Sequence, residues 1–240
     1  MTTLADIFSD LANGELAGTA IVNFDPDEFT AEPDPKRYQQ IISHVNLGLT
    51  QLYKRFYLRS DEIYVQQYEG MNEYLLHYDF AVSNTASAEP VKYIEDTVAK
   101  PFLDNILKIE EVYDEDGGKL FLNDISQEDS LFTPTYRTLQ VPTPNEWNIL
   151  GIQYRGNHPK IVYSRQLDPA ATEIELPQSL HQCLLFFIAS RVFSNYNLDQ
   201  GAQATEYYQK YENACQQAEQ YGLYIQPETG PWRFEENGWV

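Results

Sequence analysis

The chain is poor in cations. Sixteen Lys and Arg stand against 36 Asp and Glu over 240 residues, for a formal net charge of −20. Phosphate recognition relies on Lys and Arg neutralising the nucleic-acid backbone, so stable nucleic-acid binding by the surface as a whole is excluded. Anionic membranes are disfavoured for the same reason. An acidic surface still suits a passage along which DNA slides without sticking. Cysteine is scarce too. Cys183 and Cys215 fall in helix-like segments without paired spacing. They read as two buried small hydrophobes in a reducing compartment, or as one bridge between adjacent helices. No apolar run approaches the roughly 20 residues that cross a bilayer. Met1-Thr2-Thr3-Leu4-Ala5-Asp6 lacks the basic region of a signal peptide. A soluble, non-secreted protein is expected, with no membrane partner.

Signatures of chemistry are also missing. His44, His77, His158 and His181 are far apart and form no metal-spaced pair. Asp114-Glu115-Asp116-Gly117 has the look of a calcium loop, but its ligand pattern stops after Asp116 and strands are expected on either side. It reads as a turn. No nucleophile elbow, phosphate-binding Gly loop or dinucleotide fingerprint occurs. No catalytic, metal or cofactor-binding residue is therefore assigned, no cofactor is expected, and the chain does not read as an enzyme.

What is present is apolar and aromatic. A hydrophobic content of 42% and an aromatic content of 14%, with 18 Tyr, exclude a disordered chain. Leu4, Ile7, Phe8 and Leu11 predict a short amphipathic helix over 3–12. Pro26, Pro33 and Pro35 among acids make 23–35 a linker. Tyr38, Ile41, Ile42, Val45, Leu49, Leu52, Tyr53 and Phe56 line one stripe of a helix over 38–57. The period then changes. Strands are expected over 62–68, 74–80, 106–113, 119–122, 136–141, 149–155 and 173–176, with a short helix over 98–105. From Pro177 the helical period returns. A helix over 178–196, apolar all round and therefore central, leads through a short loop into one over 202–221. That order predicts an antiparallel pair.

Two segments stand out as contact elements. After Gly222 the chain ends in Pro231-Trp232-Arg233-Phe234-Glu235-Glu236-Asn237-Gly238-Trp239-Val240. Chain ends usually stay polar and fray, so Trp232, Arg233, Phe234 and Trp239 read as anchors. They dock on a partner or fold back over the chain's own helical hairpin. Tyr154-Arg155-Gly156-Asn157-His158-Pro159-Lys160 joins basic residues to turn formers. It reads as a polar turn or as a cationic loop meeting an acidic neighbour, with Arg155, His158 and Lys160 as the contact residues. In the second case, reversing Arg155 and Lys160 to Glu weakens assembly and spares monomer stability.

In this order of pieces the chain resembles the head-to-tail adaptor (connector) proteins of short-tailed bacteriophages, the family that includes tail tubular protein A. The likeness rests on the helix Tyr38–Phe56, on the β-rich middle ending in Asn148–Ile161, and on Glu173-Ile174-Glu175-Leu176-Pro177 entering the helical hairpin with Tyr207-Tyr208-Gln209-Lys210-Tyr211. It covers most of 36–222. The fold class expected is α+β, an α-helical bundle (the early long helix plus the C-terminal helical hairpin) with a β-rich insert and extended N- and C-terminal arms. The boundaries are an arm over 1–35, the bundle over 36–60 and 177–222, the insert over 61–176 and a docking tail over 223–240. The resemblance implies a non-enzymatic virion protein at the head–tail junction, assembled in the host cytoplasm. It implies a homo-oligomeric ring of about twelve copies joining the portal protein to the tail tube or nozzle, with DNA only a passenger. Other neck or tail-completion proteins, or a small hydrolase with a scattered site, are the alternatives.

Overall fold

A computed structural model describes residues 2–19, 21–25, 30–194 and 201–221. The protein is mixed α and β, with four helices and several small sheets among these residues. Two compact units divide it. One comprises residues up to 58 together with those from 160 onward, and the other is Arg59–Pro159.

The first unit begins with β1 (Thr2–Thr3) and α1 (Leu4–Asn13). Thr3 and Asp6 form a capping box, so two donors of the first turn are satisfied reciprocally. Leu4, Ile7, Phe8, Leu11 and Ala12 are buried on the face that packs against the helix Gln178–Ser194. The extended N-terminal arm expected over 1–35 is thus replaced by a folded element, because its period-3.6 stripe has a core to cover. The described residues within 23–35 are likewise not the linker expected. β2 (Val22–Asp25) pairs antiparallel with β3 (Thr30–Pro33), and Pro33 ends the strand, as a residue that cannot donate to a ladder must. β1 pairs with β11 (Glu173–Ile174).

α2 (Tyr38–Arg55) buries Ile41, Ile42, Val45, Leu49 and Leu52. Lys54 and Arg55 occupy its last turn, where they oppose the negative pole of the helix dipole. α3 (Gln178–Ser194) is the most buried of the helices, through Leu180, Leu184, Leu185, Phe187, Ile188, Val192 and Phe193, with Gln182 and Arg191 left exposed. α4 (Gly201–Gln220) covers it, with Tyr207 stacked on Phe193 at 5.3 Å and Tyr211 edge-on to Phe187 at 5.3 Å. Cys183 and Cys215 are both buried and not joined. The hydrogen bond between them, together with burial, pushes the Cys215 thiol up, so it stays protonated.

The Arg59–Pro159 unit holds a four-stranded antiparallel sheet in the order β6 (Ile94–Glu95), β4 (Ser60–Gln66), β10 (Ile149–Gly156), β7 (Ile106–Tyr113). A three-stranded sheet runs β5 (Glu73–Leu75), β9 (Thr138–Gln140), β8 (Phe132–Thr135). Ile63, Val65, Tyr74, Tyr93, Val112, Leu139 and Ile152 belong to one core cluster. The helix expected over 98–105 does not form. The Asp96 carboxylate instead accepts the backbone N–H of Ser83 at 2.7 Å and of Phe102 at 2.9 Å. Such bonds offer the backbone an alternative to helix. Burial alone would raise the Asp96 pKa, but the bond donated by the Ser83 hydroxyl and these backbone bonds outweigh it and hold the carboxyl low. Residues 119–122 add two isolated bridges, Lys119 to Tyr113 and Leu122 to Leu131, rather than a second strand.

Candidate functional site

The four tail residues Trp232, Arg233, Phe234 and Trp239 lie outside the described residues. The other three predicted contact residues are placed, and the structure does not group them as an exposed cationic loop. β7 slips against β10 at two places, and at the first of them it carries an extra residue, because Gln153 faces Glu111 while Tyr154 faces Ile109. The extra residue is Glu110, and a bulge of this kind re-aims the side chain it carries. The Glu110 carboxylate, 3% exposed, meets Arg155 Nη2 at 2.8 Å and Lys108 Nζ at 2.7 Å. Arg155 itself is only 14% exposed in its side chain. It is a structural ion-pair partner within the sheet. His158 is buried and its Nδ1 lies 2.6 Å from the Pro159 carbonyl. Of the three, Lys160 is the exposed residue.

A second titratable cluster of the β-rich unit surrounds His77, whose Nδ1 is 3.1 Å from Asp79 and whose Nε2 is 3.3 Å from Asp104. Burial raises the Asp104 carboxyl above its ordinary range, with His77 pulling the other way. Asp104 has a left-handed backbone, φ 51°, which Asp tolerates better than most residues. The arrangement ties the turn after β5 to the segment before β7. Among the described residues no group of three or more His, Cys, Asp or Glu is disposed to hold a metal ion.

Contact features are better developed than chemical ones. Trp147 is 81% exposed, yet its turn is fastened. Gln67, itself buried, accepts from Asn145 N–H at 2.9 Å, and Gln66 donates to the Glu146 carbonyl at 2.7 Å. The Asn145 side chain closes the turn by accepting from Trp147 N–H. Phe121, Ile125 and Tyr136 are also exposed. The segment that carries Phe121 and Ile125 is held by Asn123, left-handed at φ 59°, through N–H bonds between Asn123 and Leu131 and between Leu131 and Phe121. Phe121 and Tyr136 line a groove of about 670 Å³ with Lys108, Glu111 and Lys119. Burial works to raise Glu111, but Lys119 at 2.6 Å and the Tyr113 hydroxyl hold it low.

In the helical unit, Leu47 and Tyr208 are exposed beside a second groove of about 460 Å³ that also contains Lys54, Arg55 and Arg191. Sequence reading missed both Trp147 and this groove. Trp147 had a local signal, a Trp within the polar turn Asn145–Asn148. The groove had none, since its cations come from two helices distant in sequence. Neither a family model nor the sequence of a characterised protein matches this chain.

Proposed function

We propose that the protein is a structural virion component, a ring-forming head-to-tail adaptor that joins a portal to a tail and extends the DNA channel. In this reading α2, α3 and α4 form the helical bundle of the ring, in about twelve copies, and the tail residues Trp232, Phe234 and Trp239 anchor on the portal. The observation that carries it is the set of large apolar side chains exposed on fastened backbone, Trp147, Phe121, Ile125 and Tyr136 in one unit and Leu47 and Tyr208 in the other. Exposed apolar groups that gather into a patch mark interaction surfaces, and rigid aromatic anchors are where interface energy concentrates. The charge of −20 supports the same reading, because an acidic lumen repels DNA phosphates and lets a genome pass.

Deleting residues 228–240 tests the tail. The truncated protein is expected to keep its melting temperature and to lose co-sedimentation with portal. A melting temperature lowered by many degrees, with portal binding retained by the folded fraction, would assign the tail to this chain's own core.

A further inference from the structure

Two thiols lie inside the helical unit, and the adaptor reading uses neither. Cys183, on α3, and Cys215, on α4, are both buried. Aromatic contacts give the register of the two helices. Phe193 meets Tyr207 and Phe187 meets Tyr211, so contacts advance along α4 as they retreat along α3. One further turn, back from Phe187 and on from Tyr211, brings Cys183 opposite Cys215. At this level the Cys215 S–H donates to the Cys183 sulfur. The buried residues of α4 here are small, Cys215 and Ala218. Small residues let helices approach closely, as a bridge between them requires.

α4 also has the least to hold it. It buries Tyr211, Cys215 and Ala218, fewer residues than α1, α2 or α3. An element held by few buried contacts opens locally at lower cost than the whole fold. Such opening admits a small reagent to the thiol pair. A covalent tie at Cys215 then opposes the same opening.

We propose that Cys183 and Cys215 are an intramolecular cross-link site, open in a reducing compartment and closed to a disulfide in an oxidising one, where it staples α4 to α3. The oxidant is a small-molecule disulfide, R–S–S–R. The bond from Cys215 lowers the Cys183 thiol against the effect of burial, which makes Cys183 the first nucleophile. Its thiolate attacks one sulfur of the reagent, breaks the reagent's S–S bond and releases one R–S⁻. Cys183 now carries a mixed disulfide. The hydrogen bond and charge that held the Cys215 thiol up are gone, so Cys215 gives up its proton. Its thiolate attacks the Cys183 sulfur and expels the second R–S⁻. The two released thiolates take up the two cysteine protons. In sum, two protein thiols lose two electrons and one reagent disulfide becomes two thiols. The site goes beyond the adaptor reading and does not rest on it.

The test uses the folded full-length protein and oxidised glutathione. After incubation the reaction is quenched with acid, the chain is unfolded, and free thiols are alkylated before mass spectrometry. The expected product is a single chain lighter by two hydrogens and free of alkyl label. Proteolysis is expected to yield a linked peptide pair containing Cys183 and Cys215. The melting temperature is expected to rise by several degrees, because the bridge restricts the unfolded chain, and to return on reduction with dithiothreitol. Cys183→Ala and Cys215→Ala, treated alike, are expected to show no such shift. The wild-type readouts decide by themselves should either variant fail to fold. Two alkylated cysteines after prolonged treatment, glutathione adducts that persist on both, or bonds formed only between chains would each overturn the site. A bridge that forms but lowers the melting temperature would overturn the staple. None of these readouts involves portal, so the adaptor reading is judged separately.

Discussion

Arg155 shows how a single side chain can mislead when read without its neighbours. In sequence it belongs to a basic turn; in the fold it neutralises a carboxylate that a β-bulge has turned inward. Removing one partner of a buried pair leaves an uncompensated charge and costs about 3–5 kcal/mol. Lys108 stays 2.7 Å from Glu110, so Arg155→Glu, which sets a second carboxylate against Glu110, is expected to destabilise the monomer by about 3 kcal/mol, the lower end of that range. Lys160→Glu, at an exposed position, is expected to stay within about 0.5 kcal/mol. Urea unfolding of the two single variants separates them, and equal midpoints would refute the assignment of Arg155 to the sheet. His44 offers a second test at this scale. Burial, helped by the charge of Arg191, holds its pKa below the ordinary imidazole value. The folded protein then keeps His44 neutral while the unfolded chain gains a proton below about pH 6.5. This contribution to stability is full above that pH and declines as pH falls through it, until the folded imidazole protonates too. His44→Gln is expected to flatten the loss of stability between pH 7 and pH 5.5. An unchanged slope would show that other groups set it.

At the scale of elements, periodicity carried the helices. α2, α3 and α4 lie within two residues or so of the ranges expected, because each stripe or all-round apolar run has one burial solution. α1 was also legible as a helix, but not its place in the core, since a stripe says that a face is buried and not against what. The errors fall where backbone partners decide. The β2–β3 hairpin formed in a Pro-bearing acidic stretch, and Asp96 held 98–105 out of a helix through side-chain bonds invisible to pattern. Of the proposed contact features, the tail had a local signal, whereas the groove exists only once α2 and α3 are packed. That packing turns on Gly48. A Cβ there would lie 2.6 Å from Leu184 Cδ1 and 2.9 Å from Phe187 Cδ1, and Leu184 is fully buried. Gly48→Val is expected to cost about 1–3 kcal/mol through overpacking. Thermal melting checks this, and a variant as stable as wild type would mean that α2 and α3 separate at little cost.

For the whole molecule the governing quantity is charge. In the proposed ring about twelve copies, at −20 each, would gather a large negative charge that screening or a partner must offset. Isolated protein is therefore expected to be mainly monomeric at low salt, to self-associate more as moderate salt screens the repulsion, and to close into complete rings where a portal supplies the template. Sedimentation of protein alone at low salt checks the first part, and a stable dodecamer there would contradict it. The most direct test of the adaptor reading is electron microscopy of the protein mixed with portal at moderate salt. The account predicts rings of about twelve copies stacked on one face of the portal, with a continuous axial channel. Portal particles that remain bare at saturating protein concentration would contradict it.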